Sequence, residues 1–134
     1  MHLKLEDLPL YMESPGTKMR MQTGWGGMAV AYWVMPGTDS RPMLKGLPND
    51  SCPAPHWGYM IKGSLQITYD DGTAETISAG DVFYMPAGHN GFSDEEIVWI
   101  EFSPEKELKQ VFENTSEYYF CFGIIRFTFP FRNK

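Results

Sequence analysis

The segment from Cys52 to Phe92 decides the fold, and it reads CPAPHWGYMIKGSLQITYDDGTAETISAGDVFYMPAGHNGF. Four runs in it have the composition and alternation of short β-strands, namely residues 57–62, 65–69, 73–77 and 82–85. Turn residues separate these runs at Gly63, Asp71-Gly72 and Gly80, and Gly88 follows the last run. Asp-Gly is typical of a hairpin turn, because glycine readily adopts the positive φ that such turns require. The segment therefore predicts several short strands joined by tight turns.

Outside that segment the same pattern continues on both sides. Residues 18–22, 28–35 and 97–102 are further β-rich runs. Residues 36–55 contain five prolines and predict a long loop, a kind of segment that often carries function. Ser103 and Pro104 are typical of a helix N-cap and first turn, and apolar residues follow on one helical face at Leu108, Val111 and Phe112. This helix is predicted to end near Asn114.

Composition limits the class of protein. The chain has 134 residues, which is the length of one domain, and its 17 acidic and 11 basic residues give a net charge of −6. An acidic chain without a basic run is a poor partner for nucleic acid or an anionic membrane. No secretory signal or membrane span is visible, and the two cysteines, Cys52 and Cys121, cannot form a multi-bridge framework. A cytoplasmic protein is the expectation.

The spacing of the turn residues resembles that of the cupins, which are small jelly-roll β-barrels. Gly80, Pro86 and Gly88 fit the family's second motif, G-x5-P-x-G-x2-H-x3-N, and Gly63 fits the last glycine of the first motif. The resemblance implies an all-β, antiparallel jelly-roll barrel with one short C-terminal helix. We expect a single cupin domain over residues 1–117, with core motifs at 50–92, and an aromatic C-terminal extension over 118–134. The string CPxPHWGY at 52–59 is similar to a subgroup of small bacterial cupins.

The metal-ligand positions depart from the family pattern. His56 stands where the family usually has glutamate, and the two usual histidines of the first motif fall at Asp50 and Cys52. The last usual histidine falls at Gly91, with His89 two positions earlier. The resemblance therefore implies the fold but not the usual ligand set.

The sequence still contains residues that suit a metal site with ligands other than the usual ones. The candidate ligands are His56, His89 and Cys52 at one mouth of the barrel, with Asp50 nearby, and Glu101, an acid within the apolar strand 97–102. A mixed nitrogen, sulfur and oxygen set suits Zn²⁺ better than Fe²⁺ or Ni²⁺.

Each candidate also has a structural interpretation. His56 would then hydrogen-bond the barrel wall, Cys52 would be a small buried apolar side chain, and His89 would lie in a surface turn. Glu101 would face solvent or a partner chain. Asp50 would cap a turn in its loop.

Strand alternation adds an expectation about surfaces. If His56 points into the barrel, Trp57, Tyr59 and Ile61 point outward. Such an apolar exterior favours a homodimer, although Trp57 and Tyr59 would instead be covered if they pack under the N-terminal strands or the helix. The tail at 126–131 alternates as in a strand and could join its own or a neighbouring sheet.

Three functions are consistent with these features, and one of them is a purely structural role with assembly through the aromatic stripe and the tail; the other two involve a ligand. The first is a metal-dependent cupin acting on a small molecule, with Tyr59, Met60 and Tyr84 as substrate-binding residues at the pocket or its rim. The alternative is a metal-free, non-catalytic barrel that binds a small apolar or aromatic ligand, for example as a sensor. Fold alone does not decide between them.

Overall fold

The structure is a computed structural model that describes residues 1–122 and 126–127, with side chains as far as residue 114. Its elements are β1 (Leu10–Ser14), β2 (Thr17–Trp25), β3 (Met28–Met35), β4 (Thr38–Asp39), α1 (Arg41–Leu44), β5 (His56–Lys62), β6 (Ser64–Tyr69), β7 (Ala74–Ser78), β8 (Val82–Met85), β9 (His89–Ser93), β10 (Ile97–Pro104), α2 (Glu105–Phe122) and β11 (Arg126–Phe127). Short 3₁₀ turns lie at Leu5–Asp7 and Pro48–Asp50.

The strands form two antiparallel sheets. One sheet has the order β11-β1-β2-β3-β10-β5-β8 and the other the order β4-β9-β6-β7. Each strand predicted within residues 18–102 is present, at bounds that differ by a few residues at most. The predicted all-β antiparallel architecture with a C-terminal helix is therefore confirmed.

Two glycines allow the close approach of β5 to its neighbours. Gly63 joins β5 to β6 with φ +77°, and a Cβ there would collide with the carbonyl oxygen of Glu96. Gly58 lies opposite Glu101 in β10, and a Cβ there would collide with the carbonyl oxygen of Ile100. Larger residues would force β5 away from β10, and thus disturb the strand pair that carries His56 and Glu101.

The core consists of two apolar clusters that meet at Trp33. One lies inside the barrel and includes Met60, Ile67, Phe83, Ile97 and Trp99. The other lies between β1–β3 and the helices and includes Met12, Met19, Leu44, Leu108 and Phe112. The predicted helical face of Leu108 and Phe112 is thus buried. Asn114 Nδ2 donates to the Met43 carbonyl oxygen at 2.8 Å, which ties α2 to the segment containing α1.

The C-terminal helix is longer than predicted. It was expected to end near Asn114, whereas α2 continues to Phe122. Aromatic residues at 118–122 have good β propensity, but extending an existing helix requires no new nucleation. Beyond it, β11 pairs with β1, so part of the predicted tail strand does add to the chain's own sheet. The rest of that predicted strand, residues 128–131, lies outside the described residues.

The exterior of β5 is apolar, as strand alternation predicts. Trp57 and Tyr59 are each 43% exposed, which excludes the alternative that they are covered by the N-terminal strands or α2. Trp57 stacks on Tyr84 of β8 with ring centroids 5.1 Å apart. We call this surface the apolar outer face, and it comprises Trp57, Tyr59, Ile61, Val82, Tyr84 and Phe102.

Candidate metal centre

His56 lies at the start of β5 with its side chain pointing into the barrel. It is buried, as the alternation with exposed Trp57 and Tyr59 predicts. Its Nδ1 lies 2.6 Å from Ser103 Oγ and 3.7 Å from Glu101 Oε2, both on β10. Its Nε2 faces the opposite way, 3.6 Å from Cys52 Sγ. When Nδ1 donates to Ser103, Nε2 carries the lone pair that a metal requires.

His89 is the first residue of β9, where it is also buried. Its Nδ1 lies 2.7 Å from the carbonyl oxygen of Pro86, which can only accept, so Nδ1 carries the proton and Nε2 the lone pair. Burial, together with the nearby His56, lowers the pKa of His89 to about 4. The ring is therefore neutral near pH 7, which is the form that binds metals.

Cys52 is held against His89 by the backbone. The Cys52 amide donates to the His89 carbonyl at 2.9 Å, and the Gly88 amide donates to the Cys52 carbonyl at 2.8 Å. The side chain is buried, and burial raises the pKa of the thiol to about 12. Cys52 is therefore a thiol at neutral pH, so ligation requires the displacement of its proton.

One ligand atom from each of Cys52, His56 and His89 lies within 4.8 Å of the other two. A sulfur and a nitrogen bound to one tetrahedral zinc ion lie about 3.6 Å apart. The distance between Cys52 Sγ and His56 Nε2 is 3.6 Å, so this pair matches that geometry without movement. The same separation suits a thiol donating weakly to an imidazole. The residues present thus fit a three-ligand site for a divalent metal.

Glu101 lies beside that group and not within it. One carboxylate oxygen accepts from Trp33 Nε1 and the other from Trp99 Nε1, each at 3.0 Å. Glu101 is buried and lies on the Nδ1 side of His56. Its geometry is that of a residue that orients a ligand, since metal-binding histidines commonly direct their second nitrogen at a carboxylate or hydroxyl. It is buried within the barrel and does not face bulk solvent.

Asp50, the weakest candidate from sequence, caps its own loop. Its carboxylate accepts from the Gly46 amide at 2.8 Å, and the residue is exposed. This is the structural role that loop aspartates commonly have.

A cavity of about 140 Å³ adjoins the three ligand residues. Strands from both sheets and helices α1 and α2 line it. Its walls are mainly sulfur-containing, aromatic and aliphatic side chains, among them Met12, Met35, Met85, Trp33, Trp99, Leu108 and Phe112. The polar groups of Cys52, His56, His89 and Glu101 are also in the lining. An apolar pocket with a few convergent polar groups is the usual form of a small-molecule site.

The three predicted substrate-binding residues lie away from this cavity. Tyr59 and Tyr84 belong to the exposed apolar outer face, and Met60 is packed in the barrel core without lining the cavity. The reason for the tyrosines is strand parity. Tyr59 has the opposite orientation to His56, and Tyr84 pairs across strands with Trp57.

Trp33 and Trp99 are cavity residues that sequence reasoning missed. They are cross-strand partners in β3 and β10. The sequence does contain a signal for Trp99, because it is two residues from Glu101 and therefore lies on the same face of the strand. The contribution of Trp33 depends on the β3–β10 register, which the sequence does not reveal.

Comparison with solved structures identifies the fold. An RmlC-like cupin from Shewanella frigidimarina has 16% identity and a TM-score of 0.53 over 76% of this chain and 88% of its own. KdgF from Halomonas sp. has 16% identity and a TM-score of 0.53, over 78% of this chain and 93% of its own. An oxalate decarboxylase from B. subtilis has 20% identity and a TM-score of 0.54, over 76% of this chain and 28% of its own.

These likenesses confirm the predicted cupin fold. Of these three names only that of the oxalate decarboxylase states an activity, and a shared fold does not carry that activity to this chain. No family model matches the sequence, and no curated protein matches it. Among the residues that the structure describes, no helix is long and apolar enough to cross a membrane.

Proposed function

We propose that this protein binds one divalent metal ion through Cys52, His56 and His89 and acts on or binds a small molecule in the adjoining cavity. The observation that carries this proposal is the convergence of three ligand atoms within 4.8 Å at the wall of that cavity. Both imidazoles have their Nδ1 atoms engaged elsewhere, which leaves each Nε2 free to ligate.

Zinc suits this site better than iron or nickel. Thiolate and imidazole are both ordinary zinc ligands, and three protein ligands leave a fourth position open. Ferrous oxygenase sites instead use two histidines with a carboxylate ligand. Glu101 is the nearest carboxylate, and both of its oxygens accept indole N–H groups.

The chain's own residues would hold the site rigid. Ser103 and Glu101 orient His56, the Pro86 carbonyl orients His89, and the backbone bridge holds Cys52. The apolar walls lower the local dielectric constant and so strengthen electrostatic interactions within the cavity. A bound zinc ion supplies Lewis acidity to an oxygen atom in its open position.

The substrate named for one structural neighbour does not suit this cavity. Oxalate is a small dianion, and because the Cys52 thiolate and Glu101 already offset the charge of the proposed metal ion, its burial requires further cationic partners. Among the described residues, neither lysine nor arginine lines the cavity. We therefore do not extend oxalate chemistry to this chain.

Titration of chelator-treated protein with zinc tests the metal site. We expect one Zn²⁺ per chain by elemental analysis. The melting temperature should rise, since an ion at about 100 times its Kd stabilises the folded state by about 2.7 kcal/mol. Because burial raises the pKa of the Cys52 thiol to about 12, uptake in weak buffer at pH 7 should release one proton per ion.

Cobalt provides an independent readout of the ligand set. Co²⁺-loaded protein should show thiolate-to-cobalt charge-transfer absorption, which requires Cys52 as a ligand. Absence of uptake with zinc, cobalt, iron and nickel would contradict the metal proposal. It would favour the alternative, a metal-free barrel that binds a small ligand in the same cavity.

We further propose that two copies of the chain associate through the apolar outer face. Val82 is 84% exposed, and aromatic residues surround it, so this surface is costly to leave in water. β8 lies at the edge of the seven-stranded sheet, where a second copy can approach it. Identical copies meeting face to face bury the same patch twice, as in most homodimers.

Replacing Val82 by Asp tests this interface. Wild-type protein should sediment at about twice its 15.3 kDa chain mass, and the V82D variant should be a monomer at the same concentration. Leu3 is an exposed leucine outside the face, so Leu3→Asp is the matched control and should stay dimeric. A monomeric wild type would refute the dimer.

A further inference from the structure

We propose that the cavity takes an uncharged, benzene-sized aromatic molecule whose hydroxyl or carbonyl oxygen points at Cys52, His56 and His89. This inference deepens the proposed function and rests on it for the role of the oxygen atom. It follows from the size, the shape and the charge of the cavity, which are separate observations.

The volume suits a ligand of about one ring. The cavity measures about 140 Å³. A buried apolar cavity of about 150 Å³ admits benzene. A single six-membered ring with a short substituent therefore fits within this cavity.

The walls favour a flat ligand. Trp33 and Trp99 are nearly parallel, with an interplanar angle of 9° and centroids 5.4 Å apart. Phe112 continues the series on Trp33, at 6.4 Å and 21°. All three rings line the cavity, and aromatic rings bind one another through offset or edge contacts. A planar ring can make such contacts and a puckered aliphatic ring cannot.

The charges of the site favour a neutral ligand. Glu101 and a metal-bound Cys52 thiolate carry two negative charges, which a divalent ion neutralises. With neither lysine nor arginine among the described lining residues, the charge of a carboxylate or phosphate would remain unpaired. Burying such a charge without a partner is strongly unfavourable. A neutral oxygen donor avoids this cost and can still approach the metal.

The polar end of the ligand is expected to face the cluster of polar side chains. Cys52, His56, His89 and Glu101 are grouped together, whereas Thr38 and Ser40 each add a single hydroxyl to the lining, and that of Ser40 is engaged with Asn90 and the Gly91 amide. Polar atoms left unpaired in an apolar cavity lower affinity. The oxygen should therefore face the metal ligands.

Calorimetry on protein carrying one zinc ion per chain tests the ligand class with two matched pairs of probes. Phenol and cyclohexanol differ in planarity, and benzamide and benzoate have the same shape but differ in charge. We expect phenol to bind at least about tenfold more tightly than cyclohexanol, and benzamide at least about tenfold more tightly than benzoate. Equal or reversed affinities within either pair would overturn the inference, as would zinc-loaded protein that does not bind phenol.

A variant locates the probe. Leu108 is buried and lines the cavity, so Leu108→Phe should reduce phenol affinity at least about tenfold, whereas Leu3→Phe at the exposed control position should leave it unchanged. If a folded L108F variant bound phenol as tightly as wild type, phenol would not bind in this cavity. If L108F does not fold, the two probe pairs still decide the ligand class. Phenol binding without zinc uptake would refute the metal proposal alone. Zinc uptake without phenol binding would refute the ligand class alone.

Discussion

Cys52→Ser and His89→Ala should each weaken zinc binding at least about 100-fold, while His2→Ala leaves it unchanged. Loss of a residue that only orients a metal ligand already costs about 10- to 100-fold in affinity, and removal of one of three ligands should cost more. Serine has nearly the size of cysteine but provides no thiolate. Of the chain's three histidines, His2 is the one that is exposed and outside the cluster, so it controls for non-specific loss of an imidazole.

Competition against a chelator of known affinity gives the measurement. The melting temperatures of the metal-free variants serve as a check on folding, because both residues are buried. If a folded C52S variant bound zinc as tightly as wild type, Cys52 would contribute only to packing, and the zinc ligands would be a different set of residues. If only H2A lost affinity, metal would bind at the N-terminus and not at the cavity.

Much of this cluster could be predicted from sequence because local rules govern it. The turn spacing around Gly63, Gly80 and Gly88 predicted the barrel, and the barrel placed position 56 inward. Cys52 and His89 were expected near the same mouth for the same reason. What the sequence could not provide is the backbone bridge between them, which is a contact between residues far apart along the chain.

The remaining features depend on register or on tertiary context. Strand β9 was missed because His89-Asn-Gly91 has poor strand propensity, and its pairing with β6 overrides that preference. Glu101 was expected to be a ligand if it faced inward. It does face inward, but the register of β3 against β10 brings Trp33 opposite Trp99. The indole N–H of each tryptophan then donates a hydrogen bond to one oxygen of the Glu101 carboxylate. No local pattern reveals that register.

Glu101→Gln should lower the free energy of unfolding by about 2–4 kcal/mol. The carboxylate accepts N–H groups from the partly buried Trp33 and the buried Trp99, one on each oxygen. A glutamine has one accepting oxygen, and its NH₂ group would confront the second indole N–H. An unpaired buried donor costs about 1–3 kcal/mol, and hydrogen bonds to a charged acceptor contribute about 1.5–3 kcal/mol each. Urea unfolding of metal-free protein at pH 7 measures the difference.

Glu6→Gln is the matched control, because Glu6 is exposed in the first 3₁₀ turn, and its variant should lie within about 0.5 kcal/mol of wild type. A red shift of tryptophan emission in E101Q should accompany the loss, since an orphaned indole N–H recruits water. Stability equal to wild type would mean that removing the buried charge offsets the lost hydrogen bonds. In that case Glu101 would be retained for orienting His56, and the E101Q variant should then lose zinc affinity by about 10- to 100-fold while remaining fully folded.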